Sequence, residues 1–351
     1  MKAARLYEYH DAHQYNGALK VEELAEPAIE GPHDVIVKIG GAGLCRTDLH
    51  IIEGQWAEKS GVELPYVLGH ENAGWVTEIG SAVSNVAVGD TVILHPLITC
   101  GLCRACRAGD DVHCENNLFP GISTDGGFAE LIKTTARSVV RLDPSLHPRD
   151  IAALADAGLT AYHAVKKAVA QLYPGARALV IGAGGLGHIG IQCLRAMTPA
   201  EIIVLDPNED ALALAGELGA DQTVRFGDAH VDTVLEMTDG VGCDAVIDFV
   251  GEGGAIEAGV ASLRQAGSYY VIGYGENIDV PTIDIVSKEI NFIGNLVGSY
   301  NDLAELMSLT ADGKVTLHTS SYPLDAVNDA MDDLDNGRLR GRGILMPAGA
   351  E

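Results

Sequence analysis

The chain has 351 residues, 47% of them hydrophobic, and 42 glycines, which indicates a globular, turn-rich protein too long for one ordinary core and therefore divided between two domains. Its 49 acidic residues against 23 basic ones, a formal charge of −26, argue against a nucleic-acid partner, because a phosphate backbone demands the opposite sign. Met1 to Leu6 show no apolar signal region, and the longest weakly polar run, Ala178 to Leu194, is broken by five glycines, so a soluble, cytoplasmic protein with no membrane partner is expected.

In chain order, the first stretches of interest are "GLCRTDLH", Gly43 to His50, and "LGHENAG", Leu68 to Gly74. Cys45 and His70 are a thiolate and an imidazole, both good zinc ligands, although a lone cysteine or histidine is more often packed core. Asp48 is suited to hold the second imidazole nitrogen of His70, and Glu71 places a carboxylate beside it. The next stretch is "CGLCRACRAGDDVHC", with cysteines at 100, 103, 106 and 114. Without a secretory signal, a disulfide framework is not expected. The spacing gathers four thiolates from one excursion of chain, as a closed tetrahedral zinc site requires. An iron–sulfur run would place the fourth cysteine sooner and follow it with proline, whereas Cys114 is followed by Glu115. A site with four protein ligands has no open position, so this one is structural, and the chemistry must lie elsewhere. In "ALADAGLTAYHA" Asp156 is an acid within an apolar stretch, expensive unless paired or metal-bound. It serves either as a third ligand beside Cys45 and His70 or as a helix cap. Cys193 and Cys243 fall in apolar patterns and read as core.

From about residue 176 the period changes. "ARALVIGAGGLGHIGIQCLRAM" is a strand, a turn and an amphipathic helix, with Gly182, Gly184 and Gly187 forming G-x-G-x-x-G and Gly185 and Leu186 inside the turn. "EIIVLDP" follows as a strand ending in Asp206. Glycines of this spacing let backbone approach a pyrophosphate at a helix N-terminus, and the carboxylate accepts from a ribose hydroxyl. Further strands are expected in "DQTVRF", "CDAVIDFVG", "SYYVIGYG" and "INFIGNLVG", giving a doubly wound parallel sheet. Phe249, Val250, Ile272, Gly273, Leu296 and Val297, at the ends of these strands, are counted with the expected cofactor contacts.

Together, "GHENAGWVTEIG", the four-cysteine loop, "DAGLTAYHA", "VIGAGGLGHIGIQ" and "GRGILMP" resemble, in order, the zinc-dependent medium-chain alcohol dehydrogenases, over nearly the whole chain. The resemblance implies an α/β protein: a GroES-like β-barrel catalytic domain over 1–155, with a structural zinc lobe at 95–118 and completed by 298–351, and a Rossmann domain over 156–297. It implies two zinc ions per chain and NAD, with Cys45, His70 and Asp156 on the catalytic zinc and Glu71 close behind. Many members carry cysteine in place of Asp156; "DAGLT" resembles the secondary-alcohol branch, where aspartate fills that role. Thr47 and His50 match the family's proton relay, although His50 by itself reads as an exposed loop histidine. Arg342 matches a position that reaches the cofactor's pyrophosphate, or else is an exposed C-terminal arginine. Trp56, Leu97 and Phe119 match pocket positions and imply an apolar alcohol or ketone, primary or secondary, in a homo-oligomer, a tetramer or dimer. NAD is expected over NADP, because Asp206 repels a 2′-phosphate and Pro207, Asn208, Glu209 and Asp210 bring no arginine to receive one. Two alternatives compete: a zinc-free quinone or enoyl reductase, which lacks the cysteine loop, and a silent zinc and nucleotide binder, which would not need Thr47, Asp48, His50 and Glu71. The acidic, lysine-poor composition is read as adaptation to high salt, against an ordinary acidic enzyme.

Overall fold

The computed structural model describes residues 1–339 and 341–347. The chain divides into two compact units, Met1–Ala157 with Ser299–Glu351, and Gly158–Gly298. The boundary expected before Asp156 falls after Ala157 instead, which leaves Asp156 in the same unit as Cys45 and His70.

Among the described residues the first unit holds a seven-stranded and a three-stranded sheet. Strand Asp34–Gly43, an apolar run rich in β-branched residues, is the hub of the larger sheet. It pairs antiparallel with Glu71–Ile79, Leu131–Thr135 and Arg342–Met346. Its register sets Gly43 opposite Glu71 on one side and opposite Ile344 on the other. Two segments distant in sequence are thereby brought to the end of this strand, just before Cys45. Leu6, Val37, Ile39, Leu68, Phe128 and Leu345 belong to the core beneath.

The second unit is a six-stranded parallel sheet in the order Gln222–Arg225, Glu201–Asp206, Arg177–Ile181, Cys243–Asp248, Leu263–Val271, Asn291–Gly294. This is the doubly wound sheet the strand pattern predicts. Successive strands spread outward on either side of Arg177–Ile181 and Cys243–Asp248, so the order reverses between those two, where open α/β sheets bind ligands at their carboxyl ends. Leu179, Ile181, Ile203, Leu205, Val246 and Tyr269 form the core on one face, and Cys193 and Cys243 are buried as expected. The strand read from Ser268 begins earlier, at Leu263. Ala266, at φ 56°, interrupts the extended pattern that a sequence reading follows.

Candidate functional site

Cys45 ends the hub strand's turn and leads helix Arg46–Ile52. Asp48, three residues on and fully buried, works in two directions. Its Oδ2 accepts the Cys45 N–H at 2.9 Å, and its Oδ1 lies 3.3 Å from His70 Nδ1. The helix start is thus fixed by this carboxylate, which also stands against the imidazole, although Asp48 Oδ1 and His70 Nδ1 make no hydrogen bond. Nε2 of His70 points the other way and lies 3.6 Å from Asp156 Oδ2. Burial alone would lower the His70 pKa, but the adjacent Asp48 carboxylate and Cys45 outweigh it and hold the imidazole well above its ordinary value. Burial pushes Asp156 upward, opposed by His70.

The ligand atoms of Cys45, His70, Glu71 and Asp156 all lie within 4.8 Å of one another. Glu71, however, is already engaged. Its Oε1 accepts the Ala157 N–H at 3.0 Å and its Oε2 accepts from Arg342 Nη2 at 2.6 Å. Gly43 is what makes room: a Cβ there would sit 2.0 Å from Glu71 Oε2. The first N–H of the helix beginning at Ala157 is therefore taken by Glu71. By contrast, His70 Nε2 and Asp156 Oδ1 are buried with no hydrogen-bond partner. Two orphaned polar atoms and a thiol converging on one point are costly unless an ion satisfies them. The set of one sulfur, one nitrogen and one oxygen fits zinc, with a position to spare.

The cysteine loop gathers as its spacing predicts. The four sulfurs lie within 4.8 Å of one another, with Cys100 and Cys106 4.0 Å apart. A tetrahedron with zinc–sulfur bonds of about 2.3 Å has edges of about 3.8 Å. Backbone N–H groups of Leu102 and Cys103 both donate to Cys100 Sγ, and those of Cys100 and Asn116 donate to Cys114 Sγ. Those N–H donors lower the Cys100 thiol to about 6, whereas burial pushes Cys106 up to about 12. All four are free of disulfides, and the donor set again fits zinc.

Other residues of the first unit are placed as follows. Thr47 and His50 are half-buried, three apart on helix Arg46–Ile52 and so on one face. His50 is thus not the exposed loop histidine it resembles in isolation. Phe119 meets His70 edge-on, with ring centroids 6.0 Å apart. Leu97 is buried and Trp56 half-buried. Arg342 is 4% exposed, so the reading of it as an exposed C-terminal arginine fails. The strand pairing of Arg342–Met346 carries it inward to Glu71.

In the second unit, Gly182 at φ 87° turns the chain out of strand Arg177–Ile181. A Cβ on Gly187 would lie 1.8 Å from the Gly182 carbonyl oxygen, whereas Gly184 faces open space. The first and third glycines serve the turn and the packing, and the second leaves room for a ligand, with Gly185 and Leu186 leading into helix Gly187–Met197. Asp206 is buried at the end of its strand, its Oδ2 accepting from Ala183 N–H at 2.7 Å and its Oδ1 from Asn208 N–H at 2.8 Å. The carboxylate is therefore pre-oriented and tied to the glycine turn.

Phe249 lies against helix Gly187–Met197, where a Cβ on Gly190 would touch its ring, so its role in this unit includes packing. Val250 stands over Gly182 and against Gly273. Asp248, which the sequence reading missed, organises this corner. Its carboxylate accepts from Val250 and Gly251 N–H and from the Tyr269 hydroxyl, and its carbonyl accepts from Ile272 and Gly273 N–H. An acid ending an apolar strand, as in "VIDFVG", was the available signal. Leu296 is exposed, and Val297 is buried at φ 48°, an uncommon conformation for a β-branched residue. No helix among the described residues is long and apolar enough to cross a membrane.

Residues 31–144 match the family of alcohol dehydrogenase GroES-like domains, and residues 185–312 match that of zinc-binding dehydrogenases. An NAD-dependent alcohol dehydrogenase of Sulfurisphaera tokodaii is 35% identical over 356 residues, covering 99% of this chain and 100% of that protein. A D-arabinose 1-dehydrogenase (NADP(+)) of Saccharolobus solfataricus is 35% identical over 339 residues, covering 95% of this chain and 96% of that one. The crystal structure of the alcohol dehydrogenase from Aeropyrum pernix aligns with a TM-score of 0.93 at 46% identity, covering 99% of this chain and 100% of that one.

Proposed function

The chain belongs to the zinc-binding alcohol dehydrogenase family, and on that premise we propose that it is an NAD-dependent oxidoreductase interconverting small apolar alcohols, primary or secondary, with aldehydes or ketones. The observation that carries the reading is the three-donor set of Cys45, His70 and Asp156, in which His70 Nε2 and Asp156 Oδ1 are buried and unsatisfied, with Glu71 engaged elsewhere. In this reading they hold the catalytic zinc and the four cysteines hold a structural one. When bound, the zinc supplies a Lewis acid for the substrate oxygen and the nicotinamide supplies the hydride acceptor.

The chain's own residues do the rest. Asp48, with its Oδ1 3.3 Å from His70 Nδ1, favours the tautomer that leaves Nε2 for the metal. Glu71, paired with Arg342 and with the Ala157 N–H, stands behind the donors without occupying the open position. Thr47 hydrogen-bonds the substrate hydroxyl, and His50, one turn along the same face, takes the proton outward. Trp56, Leu97 and Phe119 exclude water and charged groups from the substrate. Gly182, Gly184 and Gly187 admit the pyrophosphate, and Asp206 accepts from the ribose. That carboxylate favours NAD over NADP.

A homo-oligomer is inferred from the exposed Ile283, Val286 and Leu296 and from the open edge that Asn291–Gly294 gives the parallel sheet. A cytoplasmic location is inferred from the four-thiolate site, which a reducing compartment keeps available. The test of the activity is nicotinamide reduction, followed by absorbance, across a panel of primary, secondary, cyclic and aromatic alcohols. Turnover of at least one apolar class with NAD supports the reading, and failure on the whole panel by zinc-loaded, NAD-binding protein contradicts it.

A further inference from the structure

The cation missing from the residues after Asp206 comes from the neighbouring strand. Glu201–Asp206 and Gln222–Arg225 run parallel in a register that sets Asp206 opposite Arg225, and the next N–H, that of Phe226, donates to the Asp206 carbonyl at 3.0 Å. Arg225 is therefore paired in the sheet with the residue whose carboxylate is assigned to the ribose. Its Nη1 lies 3.5 Å from Glu209 Oε1, with both side chains exposed at 68% and 70%. Glu209 is the first residue of helix Glu209–Glu217, where the Asn208 side chain accepts from Asp210 and Ala211 N–H. The helix cap thus holds Glu209 at the strand edge, within reach of Arg225.

We propose that the Glu209–Arg225 pair is a second determinant of nucleotide selectivity: Glu209 engages a guanidinium that would otherwise receive a 2′-phosphate. The inference rests on the reading of this turn as the nucleotide site. An arginine and a phosphate make bidentate, charge-assisted hydrogen bonds, so a free Arg225 beside the ribose position would favour a 2′-phosphorylated nucleotide. Engaged by Glu209, it presents little net positive charge. The phosphate then meets the carboxylates of Asp206, Glu209 and Asp210 with no cation to offset them. An exposed ion pair is weak, so the arrangement is reversible by one substitution. Arg225 is thereby a specificity residue that the sequence order conceals, because it lies 19 positions beyond Asp206 in the chain and opposite it in the sheet.

The experiment is a double-mutant cycle read by calorimetry: wild type, Glu209→Gln, Arg225→Gln and the double variant, each titrated with adenosine 2′,5′-bisphosphate and with 5′-AMP. All are measured at the lowest salt at which the four remain folded by circular dichroism. Glu209→Gln is expected to tighten the bisphosphate about tenfold, leaving 5′-AMP within about twofold, because the new contact is to the 2′-phosphate alone. The double variant is expected to return to the wild-type affinity, and NADP-linked turnover should follow the same order. No tightening in Glu209→Gln, or a gain that survives Arg225→Gln and so reflects only the lost negative charge, overturns the proposal. Failure of folded wild type to bind 5′-AMP contradicts the nucleotide-site reading itself, a different outcome from either.

Discussion

Arg342 donates through Nη2 to Oε2 of Glu71 at 2.6 Å, and both side chains are buried. The two residues are 271 positions apart, and the pairing of strands Arg342–Met346 and Glu71–Ile79 with Asp34–Gly43 brings them together. Burial pushes Glu71 up to about 7, against the pull of Arg342 and His70. Removing the arginine would leave a buried acid with one backbone N–H for company.

Arg342→Gln should therefore destabilise the zinc-loaded protein by about 3–5 kcal/mol, the usual cost of breaking a buried ion pair from one side. Urea unfolding checks this. A loss below about 1 kcal/mol, the range of exposed pairs, would mean that the pair is solvated and contributes little.

Cys103→Ser should lower the zinc content by about one ion per chain, and stability by several kcal/mol, because a closed site couples directly to folding. The molecules that remain folded should keep their substrate preference. Elemental analysis decides the matter: a folded variant with undiminished zinc would refute the structural assignment.

The cysteine loop and the glycine turn were legible because each is built from contiguous chain, so spacing alone carries the geometry. The open site was not. Cys45, His70 and Asp156 meet only through the register that sets Gly43 opposite Glu71, and family resemblance supplied what spacing could not. Asp156 itself was visible as an acid in an apolar run, and the choice between ligand and cap turned on the structure, where its Oδ1 is buried with no hydrogen-bond partner. The pairing of Arg342 with Glu71 and that of Arg225 with Glu209 escaped for the same reason. Both are set by strand order, which local sequence does not encode.

The acidic composition leads to an expectation about salt. A formal charge of −26 stores self-repulsion that weakens the compact state at low ionic strength. The screening length falls from about 10 Å at 0.1 M to about 3 Å at 1 M. Melting temperature and activity should both rise as potassium chloride increases from 0.1 M into the molar range, with zinc and nucleotide held constant. A flat or falling melting temperature would assign the charge to an ordinary acidic enzyme.

Asp156→Ala decides whether Cys45, His70 and Asp156 hold the zinc on which alcohol oxidation depends. Zinc content, NAD affinity and NAD reduction with the best alcohol of the panel are measured on one folded preparation. The variant should lose about one zinc per chain and at least about a thousandfold in turnover, as expected when a Lewis acid worth several kcal/mol is removed, with NAD binding within a few-fold of wild type. A variant that keeps both its zinc and most of its turnover would return Glu71 to the place of the third ligand.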